Sequence, residues 1–213
     1  MRTEDLIAEL SARPAGPAQT TVERGVAAGV GLGLAVAAAL FLAAYGPRPD
    51  LAQAVSHAAV AAKTVLPLLL GLLALPLALR AARPGAGRSL ASAAIWLVPL
   101  AATILFGWAF TVTPPGARLA AFIGHSIAIC LPSIALLSLP VAVLVIRALR
   151  HGAPTRPALC GALAGLASAG FATALYSTFC TEDSALFYAV WYSVGISLVT
   201  LAGAFAGKRF LRW

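Results

Sequence analysis

Long apolar runs separated by short polar segments organise this chain from residue 25 onward. Six stretches, 25–45, 64–80, 89–112, 121–146, 158–179 and 186–207, carry no Asp, Glu, Lys or Arg in their central parts. Apolar runs of about 20 residues read as membrane-spanning helices. No segment alternates apolar and polar residues as a barrel strand would, and a lone span must satisfy its own backbone hydrogen bonds. The pattern therefore predicts an all-α integral membrane protein: six transmembrane helices over residues 25–213, preceded by a polar segment over residues 1–24.

That leading segment has a pattern of its own. Thr3 can cap a helix, with Glu4 and Asp5 at its positive end. Leu6, Ile7 and Leu10 share one face, while Glu9 and Arg13 are polar. Pro14-Ala-Gly-Pro17 stops this helix and reads as a linker, and Thr20 with Glu23 resembles a capping box leading into span one. The segment lacks the compact basic start and small-residue cleavage site of a secretory signal, so span one is expected to be retained. A short amphipathic helix on a tether suits helix-in-groove binding to a partner. It equally suits a helix lying on the membrane surface.

The charge balance adds sidedness. A net charge of +8 and a pI near 10.3 are compatible with nucleic-acid binding, but the basic residues are scattered over the segments between spans and form no long block. No nucleic-acid partner is expected. Of the 15 basic residues, only Arg48, Lys63 and Arg118 fall in loops one and three; the other twelve precede span one, follow span six or lie in loops two and four. The positive-inside rule then puts both termini in the cytoplasm and loops one, three and five outside. Trp108, Trp191, Trp213, Tyr45 and Tyr188 sit near span ends, as interfacial aromatics do. The Ala, Gly, Pro and Arg bias, with a single Met, suggests a bacterial gene of high GC content.

Small residues at four-residue spacing, Gly25, Gly29 and Gly33, Gly161 and Gly165, Gly203 and Gly207, permit close helix contact. Pro67, Pro76, Pro99, Pro132 and Pro140 are expected to kink spans two to four. Broken helices can form transporter binding sites, although kinked packing is the commoner outcome.

Little chemistry remains. The spans hold no ionisable group; His125 lies at a span entrance and His57 in the first outer loop. Ion-coupled carriers ordinarily need such groups. No phosphate-binding loop, dinucleotide fingerprint or nucleophile elbow occurs, so neither an enzyme nor a cofactor nor a catalytic residue is expected. In-span Ser and Thr are expected to bond backbone carbonyls. Three cysteines are left. Cys130 and Cys180 fall at the same-side ends of spans four and five, whereas Cys160 begins span five at the opposite side, roughly 30 Å away, and reads as a small buried residue. For the outer pair three readings stand: a structural disulfide, a redox or thiophilic-metal sensor, or two unrelated buried thiols. His125, Glu182 and Asp183 could complete a metal site, at a spacing that matches no standard ligand motif.

The opening Thr3-Glu4-Asp5-Leu6-Ile7-Ala8-Glu9-Leu10, the inner loop from Arg147 through Arg150-His151-Gly152 to Arg156-Pro157-Ala158, Cys180-Thr181-Glu182-Asp183-Ser184 through Phe187, Trp191-Tyr192 and the closing Leu211-Arg212-Trp213 occur in that order. In this combination the chain resembles the NrsF-type membrane anti-sigma factors over essentially its whole length. The resemblance implies a six-span inner-membrane protein that holds an extracytoplasmic-function sigma factor inactive through its cytoplasmic N-terminal segment. It also implies that two outward cysteines, matched by Cys130 and Cys180, take part in stress sensing. The family's second cysteine is often preceded by His and followed by Pro; Phe179 and Thr181 stand there instead, which weakens a His-assisted metal site. The expectation is thus a regulator in which Leu6, Ile7 and Leu10 bind the sigma factor and Cys130 and Cys180 sense redox or thiophilic-metal stress. Its rivals are a small transporter or channel, and a structural subunit of a membrane complex.

Overall fold

In the computed structural model, which describes residues 2–12, 19–83 and 90–212, every regular element is a helix. α1 (Thr3–Ala12) leads into α2 (Gln19–Ala44), and a short α3 (Leu51–Ala54) precedes α4 (Ala58–Ala81). The third span is divided into α5 (Leu90–Ala94) and α6 (Leu97–Val112), and the fourth into α7 (Pro115–Ile123) and α8 (Ile127–Leu149). α9 (Pro157–Ser177) and α10 (Ala185–Phe210) complete the chain. Six helical stretches are long and apolar enough to cross a membrane, as the hydropathy pattern predicts. The Pro14–Pro17 linker, Arg13, Arg88 and Trp213 lie outside the described residues, as do the side chains of Leu6, Leu10 and Thr20.

With six crossings, the start of α2, the α4–α5 and α8–α9 connections and the end of α10 share one end of the bundle, here the terminal end; the other is the distal end. An Arg83–Glu23 ion pair and a hydrogen bond from the Ala153 amide to the Ala82 carbonyl (2.9 Å) knit the terminal end together.

α9 is the central helix. Its span is 67% buried against 6% for the third span, and it packs on α4, α8 and α10. Its small residues explain the position, because helices in lipid gain most from close backbone approach. A Cβ at Gly161 would stand 2.6 Å from the Gly207 Cα, and one at Gly170 would stand 2.6 Å from the Pro67 carbonyl. Glycine thus joins α9 to α10 on one side and to α4 on the other. α2 packs against α8 in the same manner, with Gly33 against the backbone of Val141.

Several sequence expectations shift. Span two begins earlier than residue 64, so Lys63 lies inside α4, 2% exposed, rather than in a loop. α4 and α8 run on through Pro67, Pro76, Pro132 and Pro140. The interruption of span four falls instead at Gly124-His125-Ser126, where Gly124 takes a φ of +56° that other residues rarely adopt. Pro99 stands in the first turn of α6, where a helix tolerates it. Tyr188 is a core residue whose hydroxyl donates to the Ala59 carbonyl (2.7 Å), and Trp191 Nε1 donates to the Phe122 carbonyl (2.8 Å). Several in-span hydroxyls behave as expected, Ser138, Ser168 and Thr200 each donating to the carbonyl four residues back, whereas the buried Thr173 hydroxyl of α9 has no partner among the described residues.

Replacing Gly161 by Ala should lower the melting temperature in detergent micelles, by overpacking worth about 1–3 kcal/mol. Gly107→Ala, where an added Cβ meets nothing within 4 Å, should leave it unchanged or slightly raised.

Candidate functional site

The distal end is built around the seven residues, 178–184, that connect α9 to α10. Cys180 follows the last turn of α9, its amide bonded to the Tyr176 carbonyl (3.2 Å), and Ser184 caps α10 by accepting from the Leu186 amide (3.3 Å). Between these two anchors the chain offers polar groups to three other parts of the bundle.

The Cys180 carbonyl accepts a hydrogen bond from Lys63 Nζ (2.6 Å) of α4 and a longer one from Arg48 Nη1 (3.4 Å). The Asp183 carboxylate accepts from Lys63 Nζ (2.6 Å) and from Arg48 Nη1 (2.8 and 3.1 Å). Arg48, in the turn after α2, also forms a two-pronged contact with Asp50, both bonds 2.7 Å, and its amide donates to the Thr178 carbonyl (3.0 Å). Glu182 Oε1 takes the His125 amide (2.6 Å) and the Ser126 hydroxyl (3.1 Å), closing the gap between α7 and α8. Three near-adjacent residues thus tie the connection to α4, to the α2–α3 turn and to the break in span four.

Charge placement follows. A buried ammonium is costly unless paired, and Lys63 meets a carboxylate and two carbonyls, of Cys180 and Glu182. Burial alone would raise the Asp183 carboxyl, but the hydrogen bonds from Lys63 and Arg48 outweigh it and hold Asp183 below its ordinary value of 3.8. The hydrogen bond from Arg48 holds Asp50 below that value as well, and the two carboxylates keep the Arg48 guanidinium firmly protonated.

Both thiols lie inside this construction. Cys130, in the first turn of α8, and Cys180 are 0% and 2% exposed, unbonded, and part of one buried cluster with Tyr176, Phe187 and Tyr192. The Tyr176 and Tyr192 hydroxyls adjoin Cys180 and have no hydrogen-bond partner among the described residues. Such groups carry a desolvation cost of about 1–3 kcal/mol each. Cys160 sits in a separate cluster toward the terminal end, its Sγ 3.6 Å from the Ala78 carbonyl, so the structure separates it from the pair as the sequence predicts.

The suggested metal partners are engaged elsewhere. Glu182 and Asp183 are structural ties, the His125 imidazole is almost fully exposed with Nδ1 3.7 Å from Glu182, and among the described residues no group of three His, Cys, Asp or Glu side chains could hold a metal ion. Sequence reasoning passed over Lys63 and Arg48, reading them only as topology charges. The signal was present: apolar residues continue upstream of Lys63 through Ala58–Ala62, and Glu182-Asp183 supply acidic partners. At the other end of the molecule, Ile7 of α1 is 61% exposed.

Comparison with known proteins gives a consistent result. Residues 10–213 match the family described as "Negative regulator of sigma F". The chain is 37% identical to the anti-sigma-F factor NrsF of Caulobacter vibrioides (strain NA1000 / CB15N) and 33% identical to the probable anti-sigma-F factor NrsF of Azospira oryzae, in each case over the full length of both chains. No solved structure matches it.

Because Asp183 is held low, its stabilising contribution is complete above its ordinary value and is lost as the pH falls through the lower folded value. The melting temperature in micelles should therefore hold steady at neutral pH and drop below pH 3.8, and Asp183→Asn should flatten part of that drop. At pH 7 the same change leaves the Lys63 ammonium without its carboxylate. It should cost about 2 kcal/mol, less than for a fully buried pair because Asp183 is 34% exposed.

Proposed function

The chain belongs to the NrsF family of negative regulators of sigma F, and from that premise we propose that it is an anti-sigma factor of the bacterial inner membrane that works without a catalytic step. Its N-terminal segment, residues 1–24, holds an extracytoplasmic-function sigma factor at the membrane, with Leu6, Ile7 and Leu10 as the apolar contacts. The full-length similarity to anti-sigma-F factors carries this reading. Two features support the assignment of the binding segment. α1 carries Glu4, Asp5 and Glu9 with an exposed Ile7, and it precedes the first span as a separate helix. A short helix with an apolar stripe is suited to a groove on a soluble partner.

The charge distribution supports a cytoplasmic terminal end: in sequence, twelve of the 15 basic residues precede span one, follow span six or fall between spans two and three or four and five. Cys130 and Cys180 would then respond from the outer side. Their shared buried cluster supports a disulfide-forming or thiol-modifying response, and the lack of a third ligand among the described residues favours redox chemistry over a closed metal site. Modification at Cys180 would disturb the carbonyl that Lys63 holds, and with it the end of α9.

Deleting residues 2–12 should derepress sigma-dependent transcription and abolish co-purification with the sigma factor, while the protein stays in the membrane; persistent repression would sink the sequestration reading. Ile7→Asp should weaken co-purification, with a loss of about 2 kcal/mol if Ile7 is a central contact. Cys130→Ser and Cys180→Ser should retain repression yet blunt induction by oxidants, and an unchanged stress response would remove the sensor role.

A further inference from the structure

An apolar slot of about 950 Å³ runs along the bundle between α4, α9 and α10, with α5 and α6 as its outer wall. Leu70 and Leu77 line it from one side, Leu163 and Leu166 from another, and Ile196 from a third. At the terminal end its mouth is bordered by Arg80, Arg83 and Arg156, beside Trp96, and no Asp or Glu is among its lining residues. The wall formed by α6 is thinly seated: Val98 and Ala109 are its buried residues, while Leu100, Ile104 and Trp108 face outward.

A gap of this size is not left empty in a close-packed protein, since every wall would forgo its dispersion contacts. Water is a poor filler between leucines. The surrounding bilayer supplies acyl chains, and the mouth is selective for charge: guanidinium groups at the membrane surface attract and hydrogen-bond phosphate. Along α4 the slot extends from Arg80 to Lys63, about 26 Å, most of a core roughly 30 Å thick, so the half nearest the arginines matches the depth of one leaflet. The Arg83–Glu23 pair is partly exposed, 38% and 48%, so it holds Arg83 only weakly and leaves it able to share a second anion.

We propose that this slot binds one anionic phospholipid, with its acyl chains against Leu77 and Leu163 and its headgroup phosphate on Arg83 and Arg156. The site is independent of the sigma-factor reading, because it rests on the slot and its arginine mouth and uses neither α1 nor the cysteines.

The test uses the full chain in phosphatidylcholine nanodiscs, titrated with phosphatidylglycerol, with lipid retention read by native mass spectrometry and stability by melting temperature. Phosphatidylglycerol should be retained about tenfold more strongly than phosphatidylcholine and should raise the melting temperature. Arg83→Gln and Arg156→Gln should each reduce that affinity about fivefold, the loss expected of one basic contact at a membrane surface. Leu163→Trp, which fills the slot and leaves the arginines in place, should abolish the preference; Leu77→Trp serves if the first variant does not fold. Arg147→Gln with Lys208→Gln removes two charges from the same end but outside the slot and should leave the preference intact. Equal retention of the two lipids overturns the proposal, as does an equal loss in the Arg147/Lys208 control or a preference that survives filling the slot. A preference that emerges only after deletion of residues 2–12 assigns the mouth to the acidic α1 and also overturns it.

Discussion

The backbone contact of α9 with its two neighbours is the constraint on which the rest of the structure depends. Lipid tails are as apolar as leucine, so helices within a bilayer gain no hydrophobic drive by meeting and rely on packing and hydrogen bonds. Gly161, Gly203 and Gly207 on one side of α9, and Gly170 with Gly71 on the other, let three helices touch main chain to main chain. Such contacts have no flexible side chain to absorb a shift. The end of α9 is therefore delivered to a fixed place, which is what allows Lys63 of α4 to meet the Cys180 carbonyl at 2.6 Å. The polar network at the distal end refines a geometry that the glycine seams have already set.

The architecture was legible in the sequence because span length and charge position are nearly one-dimensional properties. Six spans, the separation of Cys160 from the other thiols and the carbonyl-bonded hydroxyls all follow from counting along helices. What resisted was the content of the distal loops. Lys63 carries a charge, and a charge next to an apolar run reads as the end of that run; only the fold brings Asp183 and the Cys180 carbonyl to it, so the span could continue past it. Likewise Glu182 and Asp183 beside a cysteine look like metal ligands in sequence, whereas in space they reach the His125 amide and two basic side chains. Prolines read in the sequence as kinks, and α4 and α8 stay helical through theirs; the interruption of span four sits at Gly124, where backbone handedness rather than a missing donor ends the helix. The pairing of Cys130 with Cys180 in one cluster was visible as a shared side of the membrane. Their complete burial was not, since it depends on aromatic residues from α9 and α10.

A regulator of the proposed kind needs a route between its two ends, and the packing offers one. Cys180 lies three residues past the end of α9, α9 meets α10 through Gly161 and Gly207 near the terminal end, and the α8–α9 connection is bonded to the end of α4 at Ala82. Ala82 is adjacent to Arg83, which pairs with Glu23 at the base of the first span. A displacement of α9 along its axis would be felt at each of these points, because rigid seams transmit shifts rather than damp them.

The burial of both thiols has a further consequence for timing and selectivity. A sulfur sealed beneath aromatic rings and an ion cluster meets its reagent only during brief openings of the α9–α10 connection. When opening and closing are fast, the population of the open form multiplies the intrinsic reactivity of the thiol; when reaction outpaces reclosing, the opening rate alone governs. On the proposed sensor reading, small or lipid-soluble oxidants would enter more readily than bulky ones. On the same reading, the Lys63–Asp183–Arg48 cluster would set how often the connection opens, because its hydrogen bonds must break first.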